Sequence, residues 1–142
     1  MYCLLLWVAR PRWIRLTRLG ACRLERGWYV YTGSAKRNLL PRLERHLRRR
    51  KPLHWHIDSL REVASVRRIW VWPWTPTREC RTNGRVRRLP KARVPFKGFG
   101  SSDCRCIAHL VWFPCETAPP DPGGAFTYHV RRGRIRRAEV EP

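Results

Sequence analysis

The stretch Gly27-Trp28-Tyr29-Val30-Tyr31-Thr32-Gly33-Ser34-Ala35 is followed closely by Leu39-Leu40-Pro41-Arg42-Leu43-Glu44-Arg45-His46. An aromatic run that ends in a glycine turn reads as a strand over Trp28–Tyr31, with Tyr29 and Tyr31 on a common face. The segment after it reads as a basic helix from about Leu39 to Arg50. Leu39, Leu43 and Leu47 form its apolar stripe, which Leu40 widens. Asn38 is the expected N-cap, and Pro41 is tolerated because it falls in the first turn. Arg42 and His46 lie four residues apart and share one helix face. A hydroxyl that handles a proton beside a guanidinium that holds phosphate is a pairing suited to metal-assisted phosphate chemistry.

Outward from this core, Tyr2–Val8 alternates as a strand with Tyr2, Leu4, Leu6 and Val8 on one face. Trp13–Thr17 and Ala21–Leu24 read as short strands around a turn at Gly20. A second helical segment is expected near Ser59–Ala64, then a strand over Val66–Trp74 that stops at Pro73. In that strand Trp70, Trp72 and Trp74 share one face, and Ile69 and Val71 the other. Glu79–Leu89 reads as a short helix interrupted at Asn83-Gly84, Val94–Ser102 as a loop, and Ile107–Phe113 as a strand. Pro119–Gly124 reads as a turn or linker and Phe126–Arg137 as a final strand with a basic edge. The sum is an α+β fold in a single domain, a small mixed or antiparallel central sheet flanked by helices. Residues 1–115 make up the domain; 116–142 are a linker and a basic C-terminal strand or tail on the same domain.

Composition narrows the partner. Across 142 residues, 31 basic side chains face 10 acidic ones, for a net charge of +21, while 43% hydrophobic content argues against global disorder. Such a field suits a polyanion, foremost nucleic acid, with DNA and RNA both open at this point. The bland alternative is an arginine-rich composition with no partner behind it. Tyr2–Ala9 is too short to span a bilayer and lacks a charged segment before it, so the expected location is the cytoplasm, with no membrane partner. The six cysteines are then thiols or metal ligands rather than disulfides.

Two clusters carry metal-type spacing. Cys104-x-Cys106-x-x-His109, with Cys80 earlier in the chain, would supply three thiolates and an imidazole to a structural Zn²⁺. The alternative is buried core thiols. His54, His56 and Asp58 fall on one side of an extended segment, with Trp55 and Ile57 opposite as core. That trio is either a metal site or, more simply, backbone-bonding histidines lining a groove beside a helix N-cap at Asp58. Ser101, Ser102 and Asp103 follow a glycine turn.

The run Tyr29–Ala35 with Arg42 and His46, together with His54-Trp55-His56-Ile57-Asp58, Glu79-Cys80 and Phe99-Gly100-Ser101-Ser102-Asp103-Cys104-Arg105-Cys106-Ile107-Ala108-His109-Leu110, resembles the GIY-YIG nuclease superfamily. The closer likeness is to a small branch of it, of unknown function, found alone or fused to a DNA-repair glycosylase. The likeness spans roughly residues 2 to 113. It implies that Tyr31-Thr32-Gly33 is the YxG motif, Arg42 the helix arginine and Glu79 the ligand of Mg²⁺ or Mn²⁺. It places His46 one turn beyond Arg42, near the same phosphate or the base tyrosine. Gly27-Trp28-Tyr29 spells GxY but shares a strand with Tyr31, so Tyr2 is the better match for the first motif, with Met1 where that motif has glycine. Either the start trims the N-terminus or the glycine is dispensable.

The implied activity is a metal-dependent endonuclease on DNA, in repair or recombination. Tyr2, Tyr31, Arg42, His46 and Glu79 would be catalytic, and Gly33, Ser34, Lys36, Arg45, His54, His56 and Ser102 would contact substrate. A tyrosine with a pKa near about 10 is a poor base unless a cation favours its phenolate, which the arginines and a bound metal would do. The alternatives are a nucleic-acid-binding module without turnover and a zinc-stabilised interaction domain.

Overall fold

Strand alternation organises the molecule, and the computed structural model describes residues 1–123 and 126–137. Gly124 of the expected turn and residues 138–142 of the expected tail lie outside them. In chain order the elements are β1 (Tyr2–Val8), β2 (Arg12–Leu16), β3 (Gly20–Leu24), β4 (Gly27–Gly33), α1 (Leu39–Leu47), α2 (His56–Arg61), β5 (Ser65–Val71), α3 (Arg78–Arg87), β6 (Leu110–Phe113), β7 (Phe126–Arg131) and β8 (Arg134–Arg137). Six strands form one sheet in the order β6-β4-β1-β5-β7-β8, and β2 and β3 pair separately. Every neighbouring pair in the large sheet is antiparallel, which settles the choice between mixed and antiparallel. The fold is a single α+β domain.

β1 lies inside the sheet and feeds both cores. Tyr2, Leu4, Leu6 and Val8 pack with Tyr29, Ile69 and Val71 under Leu43 of α1, Ile57 and Leu60 of α2, and Leu16 and Leu24 of the β2–β3 hairpin. On the opposite face Cys3, Leu5, Val30, Trp70, Trp72 and Phe113 pack with Val86 of α3. Each fully buried large apolar side chain contributes about 1.5–3 kcal/mol. Trp70 of β5 and Trp72 just past its end share one core, in keeping with the alternation. Trp74 lies beyond the end of the strand, with the Lys36 ammonium 5.1 Å from its ring centroid.

Several boundaries differ from the sequence reading, each for an identifiable reason. Asn38 sits in the left-handed region at φ 57° and makes no side-chain cap. α1 stops at Leu47 rather than Arg50 because cations satisfy its last carbonyls: Arg61 donates to His46 and Leu47, and Lys51 Nζ to Arg45. α2 starts at His56, ahead of Ser59, because Asp58 Oδ2 accepts the backbone N–H groups of His54 and Trp55 at 2.8 and 2.9 Å. Asp58 is therefore the acid in the helix's first turn rather than its N-cap.

α3 runs unbroken through Asn83-Gly84. The Asn83 amide is fully buried and donates to Ala108 O at 2.7 Å, a tertiary bond that offsets the roughly 1 kcal/mol helix penalty of glycine. The expected single strand over Phe126–Arg137 is a hairpin that turns at Arg132 and Gly133, both at positive φ. β7 adds this hairpin to β5 of the main sheet. Among the described residues no helix is long and apolar enough to cross a membrane.

Candidate functional site

Antiparallel register brings Tyr2 opposite Gly33 and Leu4 opposite Tyr31, so the two phenols project from adjacent strands on one face. Their ring centroids are 6.4 Å apart. α1 lies against them: Tyr2 Oη and His46 Nε2 are 2.7 Å apart, and the His46 ring lies 6.2 Å from that of Tyr31. Gly33 is required by this arrangement. A Cβ there would stand 2.6 Å from Tyr2 Oη, so the glycine of the YxG makes room for the first tyrosine. Tyr31 is held from the far side by Phe99 and by Gly100, where a Cβ would come within 3.1 Å of the ring.

Arg42, one turn before His46, donates from Nη1 to Ser34 O at 2.5 Å, tying α1 to the end of the tyrosine strand. Burial pushes the Tyr2 phenol up from its usual pKa and the nearby Tyr31 adds to this, while Arg42 pulls it down. Tyr31 is raised by burial and by Glu79, again against Arg42. In the protein by itself burial therefore outweighs the arginine, and Arg42 alone does not favour either phenolate. Tyr2 is nearly inaccessible at 1% exposure, so its hydroxyl sits beneath the surface rather than in an open hollow.

His46 is neutral for the same reason. Burial, then the Lys51 charge, lower it to about 3, with Arg42 and Arg45 acting in the same direction against Asp58. Its Nδ1 has no hydrogen-bond partner among the described residues. Because the folded pKa lies below the unfolded one, the unfolded chain binds the extra proton as pH falls below about 6.5. Stability associated with His46 is thus complete above that pH and is lost on acidification towards about 3. Between about pH 6.5 and 4.5 the expected loss is about 2–3 kcal/mol, and His46→Gln should remove most of this slope. Urea unfolding across that window tests it; a flat wild-type profile would contradict the assignment.

His54, His56 and Asp58 form no metal-donor group among the described residues, and of the two readings backbone bonding holds for His56. Asp58 is fully buried, caps α2 and pairs with Arg45 Nη1 at 2.7 Å. Burial raises its carboxyl, but the Arg45 hydrogen bond and the Trp55 and His54 amides outweigh that and hold it below the usual carboxylate range. His56 lies between Thr17 O, 2.9 Å from Nε2, and the Gly100 N–H, which donates to Nδ1 at 3.2 Å. It braces the loop behind Tyr31. Trp55, expected in the core, is instead partly exposed and lies under both Arg42 and Arg45, with guanidinium carbons 5.0 and 4.7 Å from its ring centroid. This platform for the two arginines was missed, because a tryptophan between two histidines carries no sign of which face it presents. His54 packs edge-on against Trp55, and Ser102 is exposed.

Glu79, in the first turn of α3, contacts His109 rather than the tyrosines: its Oε1 is 2.9 Å from His109 Nδ1. Burial pushes the Glu79 carboxyl up, and hydrogen bonds from His109 and Ser34 more than reverse this, keeping it anionic. The same Nδ1 lies 3.1 Å from Thr32 O, so His109 is fixed from two sides beside the YxG strand. Its other nitrogen, Nε2, faces sulfur: Cys104 Sγ at 3.3 Å and Cys80 Sγ at 4.0 Å. With Cys106 these make four donor atoms within 4.8 Å of one another, drawn from α3 and from the loop before β6. Three sulfurs and one imidazole so gathered are close enough to hold a metal ion such as zinc. All six cysteines are free thiols.

The match to a family model decides the lineage. The model described as "Domain of unknown function DUF123" matches residues 1–122. The chain belongs to this family. No curated protein and no solved structure matches it. The DUF123 region takes in the tyrosine–histidine–arginine cluster, Glu79 and all four members of the thiol cluster, and it ends before the β7–β8 hairpin begins at Phe126.

Proposed function

We propose that this chain is a metal-dependent endonuclease that hydrolyses phosphodiester bonds of DNA in repair or recombination. The observation that carries the reading is the 2.7 Å Tyr2–His46 contact beside Tyr31, with Arg42 anchored to Ser34 at the same strand end. A water admitted with the substrate gives a proton to Tyr2 Oη as Tyr2 passes its own to His46 Nε2, which releases it to solvent after cleavage, so no free phenolate has to accumulate. The resulting hydroxide attacks phosphorus, the bond to the leaving oxygen breaks, and solvent protonates the departing alkoxide. A phosphate arriving beside His46 brings negative charge, which raises the imidazole from its low pKa and makes it a better acceptor. Arg42 supplies the fork that grips the non-bridging oxygens, stacked on Trp55.

Glu79 is anionic and partly exposed, a donor suited to Mg²⁺ or Mn²⁺, ions that take few protein carboxylates along with substrate oxygens. When bound, such an ion supplies charge neutralisation at the phosphate. The thiol cluster is read as a structural Zn²⁺ centre of Cys80, Cys104, Cys106 and His109, which pins the loop before β6 to α3. Reduced thiols fit a cytoplasmic setting.

The test is a nicking assay on flapped and branched duplexes with added Mg²⁺ or Mn²⁺. Wild-type protein is expected to cut and Glu79→Ala to lose cutting, with zinc content measured alongside because Glu79 also holds His109. A second reading, a DNA-binding module without turnover, is favoured by the burial of Tyr2 and of its partner His46, each 1% exposed. Binding without any nicking on every substrate would select it.

A further inference from the structure

α3 carries Arg78, Arg81 and Arg85, with Arg88 as its C-cap, at spacings of three and four residues that put all four on one stripe. This stripe borders two clefts away from the tyrosines. One, of about 330 Å³, is lined by Arg78, Arg81 and Arg85 with Trp72, Thr75 and Thr82. The other, of about 520 Å³, is lined by Arg81, Arg85, Arg87 and Arg88 beside Cys80 and Gly84. Arg81, Arg85, Arg87 and Arg88 are exposed, and none of them has an acidic partner among the described residues. Among the described residues Arg78 donates to Pro73 O. The one acid on the helix, Glu79, faces His109 instead.

We propose that the concave face along α3 is a second phosphate-binding surface, one that takes the sugar–phosphate backbone of a DNA strand. Guanidinium groups bind phosphate oxygens two at a time, and a recess lined by one sign of charge focuses its field on the ligand. Arg81 to Arg88 spans about 10 Å of helix, the axial length of about three nucleotide steps in B-form DNA. The hydroxyl-bearing Thr75 and Thr82 add neutral donors to the same recess. Because the first turn of α3 carries Glu79 and Cys80, a strand on this face is led towards or away from the candidate active site. That direction rests on the nuclease reading; the binding itself does not.

Fluorescence anisotropy on a labelled mixed-sequence duplex, with no divalent cation added, tests the proposal across about 50–200 mM salt. Arg81→Ala/Arg85→Ala is compared with Arg12→Ala/Arg15→Ala on exposed β2, which removes the same charge elsewhere. The α3 pair should lose at least tenfold in affinity and flatten the slope of log K against log salt by about 1.8, from about 0.9 per phosphate contact. The β2 pair should keep the wild-type slope. Equal losses in both pairs, no loss in either, or no binding by the wild type would each overturn the inference. Binding lost only in the α3 pair, by a protein that never nicks DNA, would uphold this surface while the nuclease reading falls.

Discussion

Replacing Arg42 with alanine is expected to reduce DNA cleavage by about 10²–10³-fold with little change in stability. The size follows from the proposed role: one preorganised cation aimed at charge that develops in the transition state is worth about 3–4 kcal/mol in a water-poor site. Its position supports a large effect, since the guanidinium is fixed by Ser34 O on one side and the Trp55 ring on the other. Arg42 is only partly buried and the side chain caps no helix, so thermal melting should move by a degree or two. Arg42→Lys keeps the charge and loses the fork, and should recover only a small part of the rate. Single-turnover cleavage at saturating enzyme separates the two explanations of any loss. If the rate is unchanged once binding is saturated, Arg42 serves binding alone and the transition-state role is wrong.

The second large effect is expected from the thiol cluster. Cys104→Ser/Cys106→Ser should abolish stoichiometric zinc and lower the melting temperature by ten degrees or more, because binding energy in a structural site is folding energy. The loop that carries both cysteines is otherwise held by few backbone bonds, among them Gly98 N to Ile107 O at 2.7 Å and His109 N to Phe99 O at 2.8 Å. It also supplies Phe99 and Gly100, which support Tyr31. Metal analysis of purified protein and differential scanning calorimetry check both parts. Wild-type protein that purifies without zinc, or melts identically to the variant, would remove the metal centre from the account.

Much of the scaffold was legible because strand faces are written with period two. Leu4, Leu6 and Val8 against Cys3 and Leu5 in β1, and Ile69 and Val71 against Trp70 and the following Trp72 along β5 and just past it, assign themselves to the two cores. What could not be read were tertiary decisions. Nothing local shows that Arg61 will close the end of α1, that Ala108 will accept the Asn83 amide inside α3, or that Arg45 will claim Asp58. At the candidate site, residue types revealed who could take part but not how they pair. The thiol cluster was legible as a donor set from its residue types alone, with buried core thiols as the alternative until the fold gathered the four ligand atoms. The bond from Glu79 to His109, and the stacking of two arginines on Trp55, joined residues that the linear order had placed in separate roles.

That 2.9 Å bond has a practical corollary. A carboxylate read as an oxygen donor for a hard cation leans on an imidazole whose far nitrogen faces soft sulfur, so the two ion chemistries share a wall. EDTA, which strips both kinds of ion, would silence the protein by either route, and lost activity alone would say nothing about which ion left. Adding back magnesium to a protein drained of zinc, and zinc to one drained of magnesium, distinguishes a missing reagent from a sagging floor.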